Sequence, residues 1–434
     1  MKGSFNDRVL LAMRGISTNA NEAAIGLTSG VSIMIDGVPV PSDSMAANEL
    51  QGILRVEVLK GPQSTLGGPT ASAGIINCVT NSPSKVWTGE VGATATSDKE
   101  VRLSARVSGP LSNALGLSLS AYRNERDYPI KNLTPGAALF PYFPFAPSGV
   151  AQSTAFPGIN IGYGNTAYAS PVRMLNKVRD NDVSPTVEKR LGDYTFTSVT
   201  AQQREKINLV QDVTAQNVYF LTELRNGAIP DPPLGPPLFD NPQSLKIDPI
   251  STRQEFRIAS PIDQAVSFVA GLFHSDVEVS QDTFRMMFVN PKIDIVTSKI
   301  QTTGLYGCAT WKLCKDTSLL TGLRWKRDKL DYTIDDKAGG HSSANTDSAS
   351  AVGDLTLRQK LGKDHRVYGA FARGYKPRAF NTAATLTSNA ALQAVEKEDI
   401  DHLEIGVKRT LLGGALVLNL AAFNTTCSNF QVQL

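Results

Sequence analysis

Apolar and polar residues alternate strictly along much of the chain. Val101, Leu103, Ala105 and Val107 stand against Arg102, Ser104, Arg106 and Ser108, and the same period returns in Leu115, Leu117, Leu119 and Ala121, in Val266, Phe268, Ala270 and Leu272, and in Leu416, Leu418, Leu420 and Ala422. A period of two sends successive side chains to opposite faces of a strand, so each segment predicts a strand with one oily and one wet face. Helix-period segments are nearly absent. Residues 1–85 have another texture. Short apolar runs, Val31 to Ile35 and Leu54 to Leu59, are closed by Asp36-Gly37 and Gly61-Pro62, which predicts a compact mixed domain of short strands. Alternation takes over at Trp87, dividing the chain into 1–85 and 86–434.

The connections carry a second pattern. Tight turns are expected at 109–113, 191–193, 261–264, 314–316, 361–364 and 412–414, while Pro-, Gly-, Asn- or Ser-rich segments at 127–177, 206–250, 281–297, 334–346 and 376–401 read as long loops. Only the link near Ser97-Asp-Lys99 is short where a long one is due. Short turns on one rim and long loops on the other describe an antiparallel transmembrane β-barrel, here with about thirteen strands. A soluble β-sandwich also alternates, but has no reason to place its long loops at every second connection, and strands such as 266–278 and 318–333 exceed the usual globular length. The fold class is therefore mainly β, a mixed α/β domain followed by a partial barrel.

Composition narrows the function. With 43 Lys+Arg against 40 Asp+Glu, a net charge of +3 and no basic run, nothing favours nucleic acid as a partner. No stretch is long and apolar enough for a transmembrane helix, a test to which strands are invisible. Cys78, Cys308, Cys314 and Cys427 are scattered, and if 308–314 is one extended strand its two cysteines stand roughly 20 Å apart, so no disulfide framework or zinc site is expected. The histidines, His274, His341, His365 and His402, are dispersed, and no nucleophile elbow, zinc-protease signature or phosphate loop occurs. The expectation is neither an enzyme nor a cofactor protein.

Four ordered blocks in the first region bear a resemblance. Met13-Arg14-Gly15-Ile16-Ser17, then Val31 to Pro39, then Arg55-Val-Glu57-Val-Leu-Lys60-Gly61-Pro62-Gln63-Ser64-Thr65-Leu66, then Ala73-Gly74-Ile-Ile-Asn77-Cys-Val-Thr80 closely resemble the plug domain of TonB-dependent outer-membrane receptors. Further on, Gln254 to Ile258, Phe371-Ala-Arg373-Gly374-Tyr375-Lys376-Pro377 with Phe380-Asn381, and Glu404 to Lys408 look like that family's barrel strands. Two departures are local: Leu66-Gly67-Gly68-Pro69 where an aromatic and one Gly are usual, and Cys78 for an aliphatic. The resemblance implies a plug, residues 1–85, inside a barrel of the Gram-negative outer membrane, a family barrel having about 22 strands. It implies import of ferric siderophores or similar scarce nutrients, with the TonB energy-transducing complex, a metal chelate or other nutrient ligand, and outer-membrane lipid as partners.

Only twelve residues precede Met13, and the chain ends just after Phe430 to Gln433. The resemblance then implies a fragment lacking signal peptide, TonB box and closing strands, expected not to transport by itself. The rival expectations are a surface or secreted β-protein that binds without transporting, and an inert product of a partial gene.

If the strands form such a barrel, Leu403, Ile405 and Val407 face out while Glu404, Gly406 and Lys408 face in, and Arg253, Glu255 and Arg257 form a charged face. Buried charges need partners. The resemblance implies plug–barrel ion pairs made by Arg14 and Lys60 with Glu255 and Glu404 as the candidate carboxylates. Ligand contacts are expected from the plug apex and from the aromatic-rich loop 127–177, chiefly Tyr128, Tyr142, Phe143 and Tyr163, whose ring faces suit planar chelates or sugars.

Overall fold

The computed structural model describes residues 13–14, 30–36, 38–40, 53–62, 65, 73–97, 99–127, 131–132, 167–168, 175–212, 242–287, 290–337, 340–380, 392 and 394–431. The first region contributes strands β1 (Val31–Ile35), β2 (Val38–Pro39), β3 (Ile53–Lys60) and β4 (Gly74–Thr80). They form one sheet in the order β2-β1-β4-β3, with β1 parallel and β3 antiparallel to β4. Asp36 takes a left-handed conformation, φ 52°, which lets the chain reverse between β1 and β2; a short polar side chain tolerates that region. Met34 and Ile75 pack with Leu59 to form the small apolar centre of this sheet.

The second region continues with β5 (Thr88–Ala95), β6 (Glu100–Ser112), β7 (Leu115–Asp127), a short parallel pair β8 (Lys131–Asn132) and β9 (Ala167–Tyr168), β10 (Leu175–Leu191), β11 (Tyr194–Asp212), β12 (Pro242–Ala259) and β13 (Val266–Met287). Then follow β14 (Asn290–Lys312), β15 (Thr317–Asp336), β16 (Gly340–Lys360), β17 (His365–Lys376), a short pair β18 (Ala379–Phe380) and β19 (Ala394–Val395), β20 (Glu398–Leu411) and β21 (Leu416–Ser428). Thirteen of these make one sheet, in the order β21-β20-β17-β16-β15-β14-β13-β12-β11-β10-β7-β6-β5. Every pairing in it is antiparallel and joins strands consecutive in that list, the meander that short turns dictate. Among the described residues β5 and β21 are its two edges.

The alternation resolves into two chemically distinct faces. Leu103, Leu272, Leu305, Leu323, Leu403 and Ile405 are exposed on one face, while Glu255, Arg324, Lys326 and His402 are buried on the other. An exposed apolar belt over a buried polar face is the reverse of a soluble protein and is what lipid on one side and a polar interior on the other require. No helix among the described residues is long and apolar enough to cross a membrane.

Two of the expected loops are corrected by the structure. Segments 281–297 and 334–346 lie almost wholly in strands, because β13 and β14 stay paired from Val266↔Trp311 to Met287↔Asn290, and β15 and β16 from Thr317↔Gln359 to Asp336↔Gly340. The flanks of 206–250 likewise belong to β11 and β12. These strands run on past the apolar belt, where outward His274, Asp276 and Glu278 replace leucines. There the contrast inverts, with polar residues outward and Val279, Val296, Ile300 and Ile334 packed inward with Leu330 and Tyr332, so the lipid-facing stripe that marks a strand elsewhere is missing and the polar-rich segments read as loop. At the opposite rim the turns are tight as expected, although β6 runs through Gly109 and Pro110 and turns only after Ser112.

Candidate functional site at the inner wall

Where the chain passes into β5, the Asn81 carbonyl accepts from Arg106 Nη2 at 2.6 Å and the Ser84 amide donates to Ser108 Oγ at 2.9 Å; apart from this link, three points of the small sheet and its connections touch the polar face of the large one among the described residues. The first is Arg14, itself left-handed at φ 53°. Its Nη1 lies 2.5 Å from Glu404 Oε2 and 3.2 Å from His402 Nε2, and its guanidinium sits 4.1 Å from the centre of the Phe423 ring. Glu404 and His402 project from β20 with one residue between them, hence from the same face. The Tyr368 hydroxyl on β17 donates to the other Glu404 oxygen at 2.5 Å, and His402 Nδ1 is 2.7 Å from Thr425 Oγ1 on β21. Arg14 and Glu404 keep only 15% and 11% of their side-chain surface exposed, so the pair is shielded and its charges are matched. Gly61, at φ 87°, closes β3 directly over this cluster. A Cβ there would meet His402 Nε2 at 3.0 Å.

The second point is the turn at Asp36. Its carboxylate accepts from the Thr80 amide at 2.7 Å and the Thr80 hydroxyl at 2.5 Å, which fixes the turn and leaves the Asp36 carbonyl to accept from Arg257 Nη1 of β12 at 2.7 Å. Beneath it, the Asp36 amide donates to the Cys78 carbonyl at 2.9 Å, and burial, aided by the charge of Asp36, pushes the Cys78 thiol up. The third point is Thr65: its carbonyl accepts from Arg324 Nη1 of β15 at 3.2 Å, and its hydroxyl donates to Asp354 of β16 at 2.5 Å.

The expected ion-pair residues therefore separate. Arg14 and Glu404 are brought together, while Lys60 is exposed and makes no ion pair among the described residues. Glu255 is buried, but its partner is the Tyr306 hydroxyl, with Arg257 and Arg324 supplying nearby positive charge. Lys60 stands at the end of β3, facing a cavity of about 980 Å³ that Arg14, His402 and Glu404 also line. Tyr128, Tyr142, Phe143 and Tyr163 lie outside the described residues.

Several residues of the site carried no sequence expectation. His402, Arg324 and Asp354 touch the first region directly. Deeper in the wall, Lys326 is fully buried, 3.0 Å from Asp328 Oδ2 and 4.5 Å from the Tyr375 ring centre; Tyr375 and Thr302 donate to Asp328 at 2.7 and 2.8 Å. The available signal was parity. In β15, Arg324, Lys326 and Asp328 alternate with Leu323 and Trp325, so three charges share the inward face.

A small sheet held by three contacts against the polar inner face of an antiparallel sheet, whose outer face is apolar, defines a plugged outer-membrane barrel. The chain belongs to the TonB-dependent receptors: the family model for the TonB-dependent receptor-like β-barrel matches residues 153–434 and that for the receptor plug domain matches residues 2–75. The family is one of Gram-negative outer-membrane receptors and transporters, not of enzymes. The pesticin receptor of Yersinia enterocolitica is 24% identical, over 97% of this chain and 62% of its own length. The iron-regulated outer membrane virulence protein of Vibrio cholerae is 38% identical over 84 residues, 18% of this chain and 13% of its own. Among solved structures, the ferric yersiniabactin uptake receptor FyuA of Yersinia pestis superposes with a TM-score of 0.70 at 19% identity, covering 98% of this chain and 67% of that one. The siderophore receptor PiuA of Acinetobacter baumannii gives 0.64 at 16% identity, covering 94% and 68%. The chain thus spans about three fifths of the length of the pesticin receptor.

Proposed function

We propose that the chain supplies the plug, residues 1–85, and wall, residues 86–434, of a receptor that imports a ferric siderophore across the outer membrane, energised through the TonB complex. The observation that carries this reading is the Arg14–Glu404 contact. It is a shielded but reversible ion pair holding the plug to the wall, backed by hydrogen bonds to Asp36 and Thr65 that can also be exchanged for water. A plug fixed only by its own core would have no such release points. The names of the similar proteins, a ferric yersiniabactin uptake receptor and a siderophore receptor, support a ferric chelate as cargo.

The test is radio-iron uptake by a receptor-deficient Gram-negative strain expressing these 434 residues within a receptor of full family length, offered phenolate, catecholate and hydroxamate ferric siderophores in turn. Uptake of one class, lost on collapse of the proton gradient, is expected. Saturable surface binding with no energised uptake would favour instead a receptor that binds a ligand without transporting it.

A further inference from the structure

The cavity beside Arg14 has an uneven charge. Five cationic side chains, Arg14, Lys60, Arg358, Arg366 and Lys408, line it against two carboxylates, Asp354 and Glu404. Both carboxylates are engaged, Glu404 by Arg14 and Tyr368, Asp354 by Thr65. Arg358, Arg366 and Lys408 make no ion pair among the described residues. They project from three adjacent strands, β16, β17 and β20, on the inward face. Arg366 is the direct cross-strand partner of Lys408, and Arg358 that of Tyr368, the neighbour of Arg366 but one. Like charges placed opposite each other across a ladder repel and destabilise it. Among the described residues, Lys408 lies over the face of Tyr368, 5.9 Å from its ring centre.

The cluster also has a definite address. Arg358 and Arg366 flank the tight turn 361–364 and Lys408 lies just before the turn 412–414, so the three sit at the short-turn mouth of the interior, the periplasmic side of an outer-membrane barrel. Lys60 faces them from the plug. A concave space of about 980 Å³ is of the size that holds a small molecule, and a wall with an excess of one sign of charge concentrates counter-ions.

We propose that Arg358, Arg366 and Lys408, with Lys60 opposite, form a binding site for a small polyanion, and that its occupant is an oxygen-rich anionic ferric chelate met at the periplasmic end of its passage. The chelate half of this rests on the transport reading. The anion site itself rests on the unbalanced cations alone.

The probes are ferric citrate and pyrophosphate, titrated at low ionic strength against the thermal unfolding of the 434-residue chain in detergent. Ferric citrate should raise the midpoint saturably by several degrees. The Arg366→Gln/Lys408→Gln protein should lose that response and unfold no earlier than the parent without anion, since the like-charge contact is gone. Arg358→Gln, if the double variant does not fold, should need at least fivefold more ferric citrate for the same rise. Arg327→Gln, on the outward face, should respond like the parent. No saturable rise, an equal rise in the parent and the Arg366/Lys408 variant, or a rise with pyrophosphate but not ferric citrate overturns the proposal. Failure of energised uptake with the ferric citrate response intact would count against transport and leave the anion site standing.

Discussion

Replacing Arg14 by Met removes the charge of the plug latch while keeping an unbranched side chain against Phe423. At 2.5 Å, two unit charges attract by about 6–7 kcal/mol if the effective dielectric constant is near 20, a gross value from which desolvation of both groups must be subtracted. Removing one partner of a buried pair costs about 3–5 kcal/mol, and the residual exposure here, with Tyr368 still donating to Glu404, brings the expectation to about 2–3 kcal/mol. Native-state hydrogen exchange reads this as release of the plug. Protection of the β1 and β4 amides should fall about thirtyfold or more in Arg14→Met, and comparably in Glu404→Gln, whose amide still accepts from Tyr368. The double variant should be little worse than either alone, giving a coupling energy of about 1.5–3 kcal/mol. Additive losses, with coupling below about 0.5 kcal/mol, would mean that the contact does not hold the plug.

Other outcomes follow from the same geometry. Lysine in place of Leu323 or Ile405, both on the exposed apolar face, should cost about 2–4 kcal/mol of assembly into vesicles near mid-bilayer, scored as the folded fraction by heat-dependent gel mobility, whereas Asn419→Ser should be tolerated. Gly61→Ala combines a left-handed backbone with a Cβ 3.0 Å from His402 Nε2, and should loosen the plug by about 1–3 kcal/mol in the same exchange measurement. Cys78, whose thiol is pushed up by burial, should resist maleimide at pH 8 while exposed Cys314 reacts. Because the folded thiol holds its proton at higher pH than the unfolded one, its contribution to stability is complete below the unfolded pKa. That contribution declines as pH rises through the folded value, so Cys78→Ser should flatten the alkaline limb of a stability–pH curve.

Legibility in the sequence tracked chemical contrast. Where one face met lipid and the other a polar interior, as at Leu103 to Val107 or Leu403 to Val407, the period was unmistakable and the facing of each residue followed. Beyond the apolar belt, in 281–297 and 334–346, the pairing continues with the outward apolar stripe gone and Val296 and Ile334 turned inward, so these strands read as loops. At the site, Glu404 was legible because a carboxylate on the inward face of a strand demands a partner, and Arg14 supplies it. Glu255 satisfied the same criterion and bonds elsewhere. Its demand is met within the wall by Tyr306, a cross-strand neighbourhood that exists only once β12, β13 and β14 are in register.

The remaining latches were hidden for a different reason, and it bears on how the plug comes free. Arg257 and Arg324 reach backbone carbonyls, those of Asp36 and Thr65, and a carbonyl has no sequence signature. The same fact makes these two contacts insensitive to which side chain the plug carries at the accepting position. They can be cut only from the wall, whereas the Arg14 latch can be cut from either side. Hydrogen bonds from a charged donor contribute about 1.5–3 kcal/mol each, comparable with the ion pair, so no single contact dominates. Release therefore requires either that all three yield together or that they yield in sequence, and the wall distinguishes these. The contacts lie on β20, β12 and the β15–β16 pair, with other strands between them, so a pull on one end of the plug loads them unequally. If the plug is pulled in that way, as the transport reading proposes, the contacts yield in sequence. Partners on distant strands share no neighbour through which to couple, so Arg257→Met and Arg14→Met, applied together, should lower the free energy that protects β1 by the sum of their separate effects, and a shortfall of more than about 0.5 kcal/mol would mean that the contacts are coupled.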